Sequence, residues 1–141
     1  MTSGKAGGGE LRVVRPHERD TGTARTPGMD RAAGIADTTV GAQGLWLGHV
    51  TLGPGVRSGA HHHGGVESGI YVISGRARFR FGEALERSIE AGPGDFVYVP
   101  PEVVHQEINL DPARSIEMIV ARNSQENVVV NVPLPEAAVE E

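Results

Sequence analysis

Glycine and proline punctuate the chain from Gly53 to Pro112 at short intervals: Gly53-Pro54-Gly55, Gly64-Gly65, Gly75, Gly82, Gly92-Pro93-Gly94, Pro100-Pro101 and Asp111-Pro112. These residues break helices and favour turns. What they leave between them is too short for helices. The strand-like runs are Leu45 to Leu52, Ser68 to Ser74, Arg76 to Phe81, Asp95 to Val99, Val104 to Leu110, Ser115 to Ala121 and Val128 to Val132. No segment of this region carries a helical period. Many short strands at regular spacing predict an all-β sandwich or barrel. In Arg76 to Phe81 the alternation is clean. It sets Ala77, Phe79 and Phe81 on one side and Arg76, Arg78 and Arg80 on the other, where solvent explains the arginines.

A chain of 141 residues without an internal repeat reads as one domain. Its twenty glycines and nine prolines agree with a fold rich in turns. It has no cysteine, so any metal must rest on nitrogen and oxygen ligands. That absence suits a reducing compartment, and the expected location is cytoplasmic. The net charge of −5 is spread along the chain, with no basic patch for nucleic acid. No apolar stretch is long enough to span a membrane, and Met1 to Gly9 lacks the apolar core of a signal peptide.

Residues 1–44 read as a disordered N-terminus and an extended, irregular arm. Leu11 to Val14 reads as a short strand and Asp30 to Ala33 as a helical turn. Residues 45–132 form the β domain, and 133–141 an acidic tail. A homodimer is the expected assembly by base rate, with Val128 to Val132 and Leu11 to Val14 as pairing segments.

The chemistry concentrates in Gly55-Val56-Arg57-Ser58-Gly59-Ala60-His61-His62-His63-Gly64-Gly65-Val66-Glu67. On a strand, positions i and i+2 share a face, so His61 and His63 point together and His62 points away. The run is internal and flanked by strand and turn signals, unlike a purification tag. A second stretch, Gly94 to Asn109, sets His105 after the rigid Pro100-Pro101 turn. Taken alone, His105 is an ordinary core histidine.

Together the two stretches resemble the paired signature motifs of the cupin family. The first, G-x5-H-x-H-x3–4-E-x6-G, is represented by Gly55, His61, His63, Glu67 and Gly75. The second, G-x5-P-x-G-x2-H-x3-N, is represented by Gly94, Pro100, His105 and Asn109, with Glu102 in place of the central glycine. The resemblance covers Leu45 to Val132. It implies a double-stranded β-helix, a jelly-roll barrel with both motifs at one end of its cavity. It also implies metal ligation by His61, His63, Glu67 and His105.

Glu67 departs from the pattern by one residue. Counting back from Gly75, the ligand position falls on Ser68, and neighbouring strand residues face opposite sides. A bulge at Gly69 would restore the phase of Glu67. Two ligand sets therefore stand. One is the three histidines with Glu67, which is preferred. The other is the three histidines with water, or with His49 from the strand Leu45 to Leu52. Gln106 or Glu107 could orient a ligand imidazole. Tyr71, Phe79, Phe81, Phe96, Tyr98 and Met118 are the bulky candidates for the cavity lining.

A site of imidazoles with at most one carboxylate suits one divalent ion of zinc, iron, nickel, copper or manganese, with zinc slightly preferred. An open coordination position would make the site catalytic. The reading is a metal-dependent enzyme on a small organic substrate, either a redox-neutral cyclase or isomerase, or a dioxygenase. The chain is similar in size and histidine content to the small cupins that cyclise poly-β-keto chains around zinc. The alternative is a small-molecule binding or sensing module whose metal anchors a ligand. A metal-free barrel is disfavoured because all three motif histidines are present.

Overall fold

In the computed structural model, residues 9–22, 29–126 and 128–134 are described. The expectations for the extreme N-terminus and for most of the acidic tail lie outside these residues. The strands are β1 (Met29–Ile35), β2 (Trp46–Leu52), β3 (Ala60–His62), β4 (Ser68–Ser74) and β5 (Ala77–Phe81). They continue with β6 (Arg87–Ala91), β7 (Phe96–Val99), β8 (His105–Asn109), β9 (Ile116–Arg122) and β10 (Val130–Val132). They build two five-stranded sheets, in the orders β1-β2-β9-β4-β7 and β10-β3-β8-β5-β6, with every named pair antiparallel. Helical structure among the described residues is confined to a turn at Pro16–Glu18 and the four-residue α1 (Asp37–Val40). The jelly-roll expectation holds. No helix of the described residues is long and apolar enough to cross a membrane.

The core forms where the inner faces of the two sheets meet. Val50, Leu52, Ile70, Val72, Ile116 and Met118 come from the first sheet, Ala77 and Phe79 from the second. Each buried aliphatic side chain of this kind contributes about 1.5–3 kcal/mol. The alternation read in Ala77–Phe81 is present: Phe79 is buried, while Arg78 pairs with Glu90 at 3.0 Å on the outside.

Two expectations for the arm are corrected. Residues Met29–Ile35, read partly as a helical turn, form edge strand β1, in register with β2 from Met29↔Leu52 to Ala33↔Gly48. Local sequence there is short and mixed, and the free edge of β2 supplies the hydrogen bonds that make it a strand. Leu11 to Val14 is not a strand, and Leu11 is fully exposed. The segment Val128–Val132 pairs within the chain, as β10 against β3.

Two glycines have local necessity. Gly75 sits at φ +86°, where a Cβ would lie 3.0 Å from the Ile116 backbone. Gly48 lies under the Trp46 ring, and a Cβ there would also meet the Ala32 carbonyl oxygen at 2.9 Å. The second motif's missing glycine leaves a trace: Glu102 adopts φ +64°, the left-handed region that its family counterpart would occupy without strain.

Candidate metal centre

β3 and β8 pair so that His61 lies opposite His105, which puts both rings on the inner face. His63 follows two residues after His61, and His62 turns outward, as alternation requires. The ring centroids are 5.0 Å apart for His61 and His63, 4.4 Å for His61 and His105, and 5.3 Å for His63 and His105. All three side chains are buried.

Each ring is fixed from behind by a backbone carbonyl. His61 Nδ1 lies 2.9 Å from the Gly59 oxygen, His63 Nδ1 2.8 Å from Val128 and His105 Nδ1 2.9 Å from Val103. A carbonyl oxygen only accepts, so each Nδ1 carries the hydrogen. In the neutral rings each Nε2 therefore presents a lone pair. One donor atom from each histidine falls within 4.8 Å of the others. His61 Nε2 is buried with no hydrogen-bond partner. Three lone pairs converging in a buried space, one of them orphaned, fit a metal ion better than a packed core.

Glu107 stands beside two of the three histidines. It lies two residues beyond His105 on the same face of β8. Its Oε1 is 3.4 Å from His105 Nε2 and its Oε2 is 3.7 Å from His61 Nε2. The Ser58 hydroxyl donates to Oε2 at 3.0 Å. Ligands at about 2.0–2.2 Å from one first-row ion sit roughly 3–3.5 Å from each other, close to these separations. Burial lowers His63 to about 4 and also lowers His61, although Glu107 opposes the shift in both. Burial pulls His105 the same way, but the adjacent carboxylate outweighs it and raises His105 above the usual histidine range. Burial alone would raise Glu107; the imidazoles of His105 and His61 hold it below the usual carboxylate range.

Other sequence candidates fall elsewhere. Glu67 is exposed, and its carboxylate accepts a hydrogen bond from the Tyr98 hydroxyl on the outer surface. β4 runs in regular register through Gly69, and its irregularity comes later, between Val72 and Ser74. No bulge turns Glu67 inward, and Ser68 occupies the inward position, buried in the cavity wall. His49 is on the outer face of β2, 3.1 Å from Glu117. Gln106 points away from the histidines and donates to the Ser58 carbonyl at 3.0 Å.

Of the predicted lining, Phe79 and Met118 are buried inside and Phe81 borders a cleft. Tyr71 and Phe96 project from the outer face, where Phe96 is 80% exposed and the two rings stack at 4.8 Å; Tyr98 is 61% exposed but borders the same cleft as Phe81. The inward positions of β4 and β7 belong to Ile70, Val72, Val97 and Val99. Both faces of these strands are apolar, so composition alone could not set their phase.

Two spaces adjoin the histidines. A cavity of about 20 Å³ is lined by residues including Arg31, Trp46, His63, Ser68, His105 and Arg122. A cleft of about 310 Å³ between β6 and β7 is lined by Phe79, Phe81, Ile89, Val97, Val103 and His105, among others. Sequence reading missed Arg31 and Arg122. Arg31 lay in the stretch read as arm, and Arg122 one residue past the predicted end of its strand.

The chain is similar to several solved structures. The polyketide cyclase RemF from Streptomyces resistomycificus is 24% identical, with 90% of this chain and 89% of that chain covered and a TM-score of 0.72. Oxalate decarboxylase from Bacillus subtilis is 22% identical, with 82% of this chain but only 32% of that chain covered and a TM-score of 0.65. Oxalate oxidase is 22% identical, covering 80% of this chain and 60% of that one, with a TM-score of 0.62. At these identities the likeness is one of fold. No curated protein matches the sequence. The sequence pattern of the family described as "Cupin domain" matches residues 48–121, more than half of the chain. With both histidine motifs at one end of a jelly-roll barrel, this chain belongs to the cupin family.

Proposed function

We propose that the chain is a divalent-metal-dependent enzyme that transforms a small organic substrate without net redox change, as a cyclase or isomerase, with zinc as its metal. The carrying observation is the arrangement of three buried imidazoles, each held through Nδ1 by a backbone carbonyl, with their Nε2 atoms convergent. His61, His63 and His105 would hold the ion, and Glu107 would supply the carboxylate that Glu67 cannot. A bound zinc ion supplies Lewis acidity to a carbonyl or enolate oxygen beside it.

The chain's own residues do the rest. The cleft of about 310 Å³ is walled by Phe79, Phe81, Ile89, Val97 and Val103, which would bind an apolar substrate body and exclude water. The three carbonyl contacts fix each ring's tautomer and aim, so that no imidazole has to reorient during turnover. The Ser58 hydroxyl holds the Glu107 carboxylate toward His61 and His105. The fold likeness to a polyketide cyclase supports the redox-neutral branch, and the likeness to oxalate oxidase keeps oxygen chemistry as the competing one.

Elemental analysis of protein purified without a histidine tag tests the reading. Near-stoichiometric zinc is expected, together with turnover that proceeds under anaerobic conditions. Iron, copper, nickel or manganese with oxygen uptake would move the assignment to a dioxygenase. No metal after supplementation would overturn the metal reading. Recovery of every bound ligand unchanged would make the protein a binding module.

A further inference from the structure

The outer face of the first sheet is apolar across most of its width. Register lines up its outward side chains in two rows over β2, β9, β4 and β7. One row runs Leu47, Ala121, Gly69, Tyr98 and the next His49, Ile119, Tyr71, Phe96. Leu45, just before β2, and Ile73 of β4 extend the face at either end, as alternation with buried Trp46 and Val72 requires. Five of these side chains are large and exposed: Phe96 at 80%, Tyr98 at 61%, Leu45 at 49%, Ile73 at 44% and Tyr71 at 37%. The ionisable pair on the face is internal to it, with His49 3.1 Å from Glu117 of the neighbouring strand.

The barrel core does not require this composition. Ile70, Val72, Val97 and Val99 already fill the inward positions of β4 and β7. An antiparallel sheet with water on its other side alternates apolar and polar residues, whereas strands apolar on both faces suit a sheet covered on both. Area agrees with a cover. At roughly 150–250 Å² for a whole large side chain, the exposed parts of the five residues amount to about 500 Å². Half-buried Leu47, His49, Ile119 and Ala121 lie among them, so the face supplies most of the roughly 800 Å² per partner that a stable interface buries.

The relief of the face fits a copy of itself. Phe96 stacks on Tyr71 at 4.8 Å and stands out from its row as a knob. In the adjacent row, Gly69 and Ala121 floor a hollow of about 370 Å³ rimmed by Leu45 and Tyr98. A Cβ on Gly69 would meet nothing within 4 Å. When one flat face carries both a knob and a hollow, a two-fold axis lying in the interface and crossing midway between them carries each onto the other. Both contacts then form at once, the isologous arrangement of a two-fold dimer.

We propose that the chain dimerises through the outer face of its first sheet, with Phe96 of each copy seated over Gly69 and Ala121 of the other. Sheet packs on sheet in this arrangement, and the two small residues let the strands approach. The segments Leu11 to Val14 and Val128 to Val132 take no part in it, and it is independent of the metal reading.

Sedimentation equilibrium on the full chain tests the interface. The unaltered chain should show twice the chain mass at micromolar concentration. Phe96→Asp and Gly69→Arg should each raise the dimer dissociation constant by at least about thirtyfold, as loss of a central anchor does. Neither reaches the barrel core, because Phe96 is exposed and the space above Gly69 is open. Both variants should therefore keep the circular dichroism and the metal content of the unaltered chain. If Phe96→Asp does not fold, Gly69→Arg decides alone. Leu11→Ser, in the arm, should leave the dimer intact.

A monomer for the unaltered chain at micromolar concentration overturns the proposal, and its binding to phosphatidylcholine vesicles would assign the face to a lipid surface instead. A dimer that survives both outer-face substitutions overturns it too, and loss of that dimer in Leu11→Ser would move the interface to the arm.

Discussion

Single residues divide the site in a way that spacing alone did not. The first motif carries its acid at Glu67, and the strand turns that acid to solvent. The inward carboxylate belongs to Glu107, on the same face as His105. Glu107→Gln should therefore weaken zinc binding about 10–100-fold, the range seen when groups around a metal are altered. Glu67→Gln and His49→Ala should leave zinc affinity unchanged. A competitive chelator titration separates these outcomes, and a large loss in Glu67→Gln would reverse the assignment. Glu102 carries backbone strain at φ +64°. Glu102→Gly should raise stability by about 1 kcal/mol in urea unfolding, because a left-handed L-residue costs roughly 1–2 kcal/mol and glycine's extra unfolded-state entropy returns part of that gain.

At the scale of elements, the site depends on strands packing without spacers. β1 and β2 meet where Gly48 lies beneath Trp46 and beside the Ala32 carbonyl. Gly48→Ala should cost about 1–3 kcal/mol, the usual penalty of overpacking, and should shift Trp46 fluorescence, since the ring must move. An unchanged unfolding midpoint and an unchanged spectrum would mean that the two strands are looser than their register implies. β3 matters for a different reason. It is only three residues long, yet its partners β8 and β10 fix two of the histidines: His61 sits opposite His105, and the residue leading into β10, Val128, accepts from His63.

For the whole molecule, the buried histidines couple stability to pH. His63 is lowered to about 4, against an ordinary value of 6.5. Below pH 6.5 the unfolded chain binds a proton at this position that the folded chain refuses until about pH 4. The unfolded state then holds more protons, so stability falls as pH falls through this window. The loss from this one group is about 3 kcal/mol. His105 is raised and works the other way, adding stability below pH 6.5, so the His63 contribution is best isolated by substitution. In metal-free protein, the drop in stability between pH 7 and pH 4 should be smaller in His63→Asn than in the unaltered chain by about 3 kcal/mol. An identical drop in both would show that His63 titrates normally. Zinc should act in the opposite sense: at 100 times its dissociation constant it adds about 2.7 kcal/mol to folding, and a chelator removes that increment.

The sequence by itself determined the strand-forming segments of the barrel core and the identity of the three histidines. Turn residues and alternation act over a few positions, so β2, β4, β5, β7, β8 and β9 could be read within a residue or two of their ends. The i, i+2 spacing of His61 and His63 and the proline turn before His105 are local in the same sense. Tertiary structure decided whatever required knowing a neighbour. β1 is a strand because β2 offers an unpaired edge, although its own sequence is indifferent. Tyr71, Phe96 and Tyr98 face solvent because pairing with β9 fixes the phase of β4, and β4 in turn fixes β7, in strands apolar on both sides. The same pairing put Ser68 inside and Glu67 outside. Register also gathered Arg31, Arg122 and Glu107 around one cavity from positions 31, 122 and 107 of the chain. A side chain's face is a property of its strand's hydrogen-bonded partner, and that partner is far away in sequence.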